Sequence, residues 1–300
     1  MNDMINVMLD METADPDDAM TLCFLLSHPE VNLVSVTLTP GSEEQVGLVR
    51  HIMHVCEVPQ VPVGTRRGGH TKDGSCVSTF HHKWIGPFLP SQPDGPADQI
   101  IAEAIEMWPK ATLLTGAALT NPYQALAEYC PAHEKLDMLD HWVAQGGFAG
   151  DSVVPKEYRL EKFDGMETCP TFNFNGNPKA AEWLLNEPAI KLRHCVSKNV
   201  CHGMAYDREM HEQVAPYKNK HPALRQIYDG MSIYLKNKPR GKLFHDPLAA
   251  AAMINPDICE WREVELYRRK GKWGSQLKDG TNTFISIKAD RDKFVEELVR

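Results

Sequence analysis

Over the first 120 residues, short apolar runs alternate with segments whose apolar positions recur at helical spacing, the pattern of βαβ units around a parallel sheet. Ile5-Asn6-Val7-Met8-Leu9 reads as a buried strand. It runs into Asp10-Met11-Glu12-Thr13-Ala14-Asp15-Pro16-Asp17-Asp18, after which Ala19, Met20, Leu22, Cys23, Leu25 and Leu26 take up a helical period. The same reasoning predicts strands at 31–38, 61–63 and 111–114, with helices at 43–55 and 97–107. Right-handed crossovers should bring the strand ends to one edge of the sheet. The stretch 66–96 breaks the pattern with Gly, Pro, Ser and His; a connection that long is usually functional or disordered, and its His81, His82 and Trp84 favour function.

Downstream, the pattern predicts strands at 142–147 and 190–200, helices at 178–185, 206–214, 222–235 and 246–253, a strand pair at 263–269 and 283–287, and an end helix from about Asp290. No internal repeat or low-complexity linker divides the chain. The expectation is one α/β domain over 1–300, a mostly parallel sheet flanked by helices with a small antiparallel strand pair near the C-terminus.

Composition narrows the function classes. The 300 residues, 42% hydrophobic and 24% charged, suffice for a large core. The excess of 40 Asp+Glu over 32 Lys+Arg argues against a nucleic-acid or anionic-membrane partner. No run approaches the ~20 apolar residues of a membrane span. Residues 1–10 carry acids where a signal peptide would be basic, so a cytoplasmic location is expected. The eight cysteines form no CxxC pair and read as buried free thiols.

Candidate chemistry begins at the acidic turn. Asp10, Glu12, Asp15, Asp17 and Asp18 lie within nine residues, where the first strand becomes a helix and where open α/β sheets bind ligands. Like charges this dense repel unless a cation or solvent screens them, and oxygen donors without Cys or His select calcium or magnesium. Helix capping by Asp15 or Asp17 is the plainer alternative, but it accounts for one acid only. Asp246, in His245-Asp246-Pro247-Leu248-Ala249, opens an apolar helix and also reads as an ordinary cap before Pro. Leu114-Thr115-Gly116-Ala117-Ala118-Leu119-Thr120-Asn121 is a strand entering a small-residue turn, where Gly permits close backbone approach.

In this order and at these separations, the three pieces resemble the inosine–uridine-type nucleoside hydrolases (nucleoside N-ribohydrolases), whose motifs are DxDxxxDDA, G-x-LTN and HDPxA. The matching residues are Asp10-Met11-Glu12 with Asp17-Asp18-Ala19, Ala117 to Asn121, and His245 to Ala249. Thr171-Phe172-Asn173 is similar to the family's EFN segment, ahead of Asn177-Pro178-Lys179-Ala180-Ala181, so the likeness covers nearly the whole chain. It implies a nucleoside-hydrolase-like fold with a Rossmann-like core. It also implies calcium-dependent hydrolysis of a ribonucleoside N-glycosidic bond and a homodimer or homotetramer.

By the same resemblance, calcium is held by Glu12, Asp18, Asp246 and the Gly116 carbonyl; Asp17 and Asn173 bind the ribose 2′- and 3′-hydroxyls; Glu12 is the general base for the attacking water; and Asp10 supports it. His82 and His245 are candidates for protonating the leaving base, and Trp84 for stacking on it. His202 lies near where relatives carry a Thr-His pair.

The opening motif departs from the family by one extra residue between Glu12 and Asp17 and by Glu in place of Asp. Either the turn bulges or Asp15 takes over the role of Glu12. Thr171 replaces a Glu that in relatives helps hold the 5′-hydroxyl, and Lys156, Arg159 and Lys162 lie in a lengthened segment. Cations gained where an acid is lost would suit a 5′-phosphate or another substituent, making the substrate a ribonucleoside or a ribonucleotide. Two alternatives stay open: a catalytically idle relative that binds a ribosyl ligand, and a haloacid-dehalogenase-type phosphatase using Asp10 as nucleophile.

Overall fold

Strand β1 (Ile5–Met11) is apolar on both faces because it is buried on both: Val7, Leu9 and Met11 enter one core and Met8 the other. The structure, a computed structural model, describes residues 4–66, 76–130 and 139–300. Beside β1 lie β2 (Val31–Leu38), β3 (Val63–Thr65), β4 (Gly95–Pro96), β5 (Thr112–Thr115), β6 (His141–Gln145) and β7 (Leu192–Val196). A short pair, β8 (Ala205–Tyr206) and β9 (Lys242–Leu243), stands apart; β10 (Cys259–Arg269), β11 (Lys272–Leu277) and β12 (Thr283–Ala289) rejoin the main sheet.

Among the described residues that sheet has ten strands in the order β11-β10-β12-β7-β6-β5-β1-β2-β3-β4. From β12 through β4 all neighbours are parallel, while β10 is antiparallel to β12 and β11. The chain winds from β1 outward through β2, β3 and β4, then returns to β5 on the other flank of β1. The strand order therefore reverses between β1 and β5, the kind of place where open α/β sheets form a ligand crevice at the C-terminal strand ends.

Local chemistry explains where elements start. Helix α2 (Glu43–Val55) opens with a capping box in which Ser42 and Gln45 satisfy each other's backbone N–H. Helix α1 (Pro16–Ser27) begins with Pro at its first position and is buried from Pro16 through Leu25, so it is sunk in the core instead of lying on it. Asp17 and Asp18, in its first turn, are carried into the interior with it. No helix among the described residues is long and apolar enough to cross a membrane.

Several predicted elements shift. The expected strand 190–200 stops at Val196, because Ser197 caps a new helix (Lys198–Cys201) by accepting from the Val200 N–H. Within 66–96 lies helix α3 (Thr79–Ile85); residues 67–75 of that stretch fall outside the described residues. The tail strand pair is a three-stranded extension. Residues 259–263 of β10 pair with β12, and residues 264–269 pair with β11, which the hydrophobic pattern does not predict.

Candidate active site

Asp10 and Thr115 face each other across the β1–β5 pair, and the Gly116 N–H donates to the Asp10 carbonyl at 2.8 Å, so the acidic turn and the Gly116 turn meet at the crevice. Into the same place project the first turn of α1 and that of the helix His245–Ile254. There Asp17, Asp18 and Asp246, all buried, bring carboxylate oxygens within 4.8 Å of one another. Burial first, then repulsion from neighbouring carboxylates, Asp246 in the case of Asp18 and Asp17 in the case of Asp246, pushes both carboxyls well above the usual range. The Oδ1 atoms of Asp18 and Asp246 have no hydrogen-bond partner, and the two residues line one small, largely apolar void together with Gly116. A Cβ on Gly116 would stand 2.8 Å from Asp246 Oδ1. Buried oxygens without donors beside a backbone that cannot carry a side chain fit a hard cation.

Asp17 ties distant parts of the chain together. Its Oδ2 accepts from the backbone N–H of His245 (2.9 Å) and of Asp246 (3.4 Å), and its Oδ1 pairs with Lys242 Nζ at 3.0 Å. Lys242 is buried; its ammonium also reaches Asp15 at 3.1 Å and the Leu243 carbonyl at 2.7 Å. It is a site residue the sequence reading missed, and only its burial by tertiary structure reveals it.

The other acids separate. Glu12 lies beside the three-carboxylate group, not in it, and burial followed by Asp15 and Asp17 raises its carboxyl to about 7. Its side chain makes no hydrogen bond among the described residues. Asp10 is fully buried; its Oδ1 accepts from Thr37 Oγ1 (2.7 Å) and Asn121 Nδ2 (2.8 Å), and burial holds its carboxyl near 7. So enclosed, Asp10 cannot act as the exposed nucleophile that the phosphatase alternative requires. Asp15 is the residue before α1, its side chain half-exposed, and it pairs with Lys242, outside the three-carboxylate group. Asn121 emerges as the clamp on Asp10, donating also to the Leu38 carbonyl at 3.2 Å and Thr39 Oγ1 at 3.1 Å.

The remaining candidates divide in the same way. Asn173 donates to the backbone carbonyl (3.0 Å) and Oε1 (2.8 Å) of Gln145, and Thr171 is buried with its hydroxyl unpartnered. The His245 ring, with Nε2 unpartnered, lies 5.2 Å from that of His202, and burial, then Lys242, lowers it to about 4. Three expected residues are placed elsewhere. His82 stacks on Phe88 and reaches Glu44 at 3.2 Å on an exposed face. Trp84 is buried against Gly230 and donates to the Gln226 carbonyl at 2.8 Å, anchoring α3 instead of offering a face to a base. Arg159 is spent within its own loop, on Asp151 (2.8 Å) and on the carbonyls of Val154 (3.0 Å) and Asp151 (2.7 Å).

His81 is the inward histidine of α3: buried, Nδ1 against Ser78 Oγ at 2.8 Å, Nε2 unpartnered, and lowered to about 4 chiefly by burial. Its spacing from Trp84 and Ile85, three and four residues on, was the available signal.

The model of the family described as inosine-uridine preferring nucleoside hydrolase matches residues 7–296. A pyrimidine-specific ribonucleoside hydrolase RihA of Shewanella sp. (strain MR-4) is 24% identical over 94% of this chain and 92% of its own length. An uncharacterized protein of Aquifex aeolicus (strain VF5) is 27% identical over 98% of both chains. Among solved structures, the inosine-uridine preferring nucleoside hydrolase from Bacillus anthracis superposes with a TM-score of 0.71 at 17% identity over 98% of each chain. The purine-preferring ribonucleoside hydrolase from Gardnerella vaginalis gives 0.68 at 18% identity over 98% of this chain and 96% of its own.

Proposed function

The chain belongs to the inosine-uridine preferring nucleoside hydrolase family and is an N-glycosyl hydrolase of ribonucleosides, and from that premise we propose that the three-carboxylate group holds calcium as its working ion. What supports this is the meeting of Asp17, Asp18 and Asp246 from opposite ends of the chain at the sheet's reversal point, with two carboxylate oxygens left unpartnered. Asp18 and Asp246 would be its side-chain ligands, with the Gly116 backbone beside them. Bound calcium would supply fixed positive charge that makes water more acidic and anchors hydroxyl oxygens.

The chain's own residues do the rest. Asp17, held in place by Lys242 and two backbone N–H groups, and Asn173, held by Gln145, receive the ribose 2′- and 3′-hydroxyls. Glu12 takes a proton from the attacking water as its oxygen bonds to C1′. The C1′–N bond breaks, its electron pair leaves with the base, and the departing nitrogen takes up a proton from solvent by way of the imidazole of His245 or of the inward-facing His81, both neutral near pH 7. Carboxylates around the sugar favour the positive charge that develops on an oxocarbenium-like ring.

Incubation with a panel of ribonucleosides, with and without EGTA, and chromatography of released base and ribose would test this. Release that stops with EGTA, returns with calcium and falls at least ~100-fold in Glu12→Gln is expected for loss of a general base. Release indifferent to EGTA would refute the calcium reading. Nucleoside binding without any release would favour a catalytically idle relative.

A further inference from the structure

Past His245 the site turns from acidic to basic. Lys162 Nζ lies 3.0 Å from His202 Nδ1, the His202 ring packs 5.2 Å from that of His245, and Lys198 Nζ donates to the Pro170 carbonyl at 2.8 Å, one residue before Thr171. Neither Lys162 nor Lys198 has a carboxylate partner among the described residues, unlike Lys242 or Arg159. His202 feels both: after burial and His245, the charges of Lys162, Lys198 and Lys242 press it down to about 3. Thr171, next to the carbonyl that receives Lys198, is buried with an unpartnered hydroxyl, and two residues on stands Asn173, a proposed ribose ligand. An uncompensated pair of ammonium groups, a histidine under their field and a spare hydroxyl thus gather around His202, beyond His245 from the carboxylates.

We propose that Lys162 and Lys198 read an anionic substituent on the ribose and that the substrate class is the ribonucleoside 5′-monophosphate. This rests on the hydrolase reading above. A dianionic phosphate would take charge-assisted bonds from the two ammonium groups and one from the Thr171 hydroxyl, while the ribose diol faces Asp17 and Asn173. The two ends of the sugar meet opposite charges, which fixes its orientation. The reaction consumes one water: its oxygen bonds to C1′, the C1′–N bond breaks, the base leaves protonated, and ribose 5-phosphate remains. Arg159, expected from sequence to share this task, is replaced in it by Lys198.

The test compares kcat/KM for a ribonucleoside and its 5′-monophosphate in the wild-type protein and in Lys162→Gln/Lys198→Gln. The monophosphate is expected to be preferred at least tenfold by the wild type, with that ratio falling at least tenfold in the variant. A wild-type ratio near one, or a ratio the variant leaves unchanged, would overturn the proposal. Thermal unfolding with ribose 5-phosphate, ribose or inorganic phosphate separates the two readings. Stabilisation by ribose 5-phosphate alone, lost in the variant, supports the phosphate subsite even where no base is released and the hydrolase reading has failed. Equal stabilisation by ribose and ribose 5-phosphate, or a shift with inorganic phosphate that the variant retains, overturns it.

Discussion

Removing the ammonium of Lys242 should expose the cost of keeping Asp17 charged inside the protein. The side chains are 6% and 2% exposed and their charges 3.0 Å apart, so Lys242→Met leaves a buried carboxylate without its counter-charge. Breaking a buried pair in this way costs about 3–5 kcal/mol. The contact to Asp15, whose side chain is 51% exposed, adds little, since a solvated pair is worth at most about 1 kcal/mol. Two compensations reduce the loss: Asp17 Oδ2 keeps the N–H groups of His245 and Asp246, and methionine retains the apolar stem. A net loss of roughly 2–4 kcal/mol follows.

Urea unfolding in EGTA of the wild type, Lys242→Met, Asp17→Asn and the double variant measures it. Asp17→Asn removes the charge that Lys242 neutralises, so the two losses should overlap by about 1–3 kcal/mol. Additivity within about 0.5 kcal/mol, or a loss under about 1 kcal/mol in Lys242→Met, would refute the view that this lysine is what permits Asp17 to remain buried and charged.

Gly116→Ala, whose Cβ would come 2.8 Å from Asp246 Oδ1, should weaken calcium binding at least about tenfold by calorimetry; unchanged affinity would remove Gly116 from the site. Asn121→Ala deletes the donor shared by Asp10, the Leu38 carbonyl and Thr39, and should destabilise by about 1–3 kcal/mol in denaturant unfolding. His81→Ala should lower kcat more than His82→Ala does, and the reverse order would restore the outward histidine to the reaction. Burial alone would raise the Glu297 carboxyl, but hydrogen bonds from His28, Asn255 and Arg300 outweigh it and hold the group below its ordinary value. With the folded value depressed, its stabilisation is present above the unfolded carboxyl value and is lost as pH falls through the folded one. Melting temperatures from pH 7 to pH 3 should therefore decline less steeply in Glu297→Gln.

What the chain makes legible is local. Strands β1, β2 and β5 and helices α1 and α2 follow from apolar runs, a proline start and a capping box, and the motifs at Asp17-Asp18 and His245-Asp246 converge because each opens a helix aimed at the same strand ends. What is hidden depends on partners far away in the chain. Strand β11 is polar but for Trp273 and Leu277, and it forms because β10 offers it an edge and Trp273 packs on Phe174. His81 and His82 are adjacent, so only the helical phase of α3, set by the anchoring of Trp84, decides which one turns inward. Lys242 reads as a surface residue until β9 carries it under Asp17. Arg159 and Lys162, three residues apart, are indistinguishable as cations, yet Asp151 neutralises one and the other meets no acid among the described residues.

The bond from Asp17 to the His245 N–H spans 228 residues, and this has a consequence for biosynthesis. At translation rates of roughly 5–20 residues per second, α1 leaves the ribosome on the order of 10–50 seconds before the segment that caps and neutralises its acids. In that interval β1 can pair with β2, but Asp17 has no Lys242 and no N–H groups from the late helix, so the hydrated turn is held outside the core. Docking of α1 is in this way deferred to nearly the end of synthesis. A nascent or truncated chain stopping short of Lys242 would present an open, acidic and protease-accessible amino-terminal third.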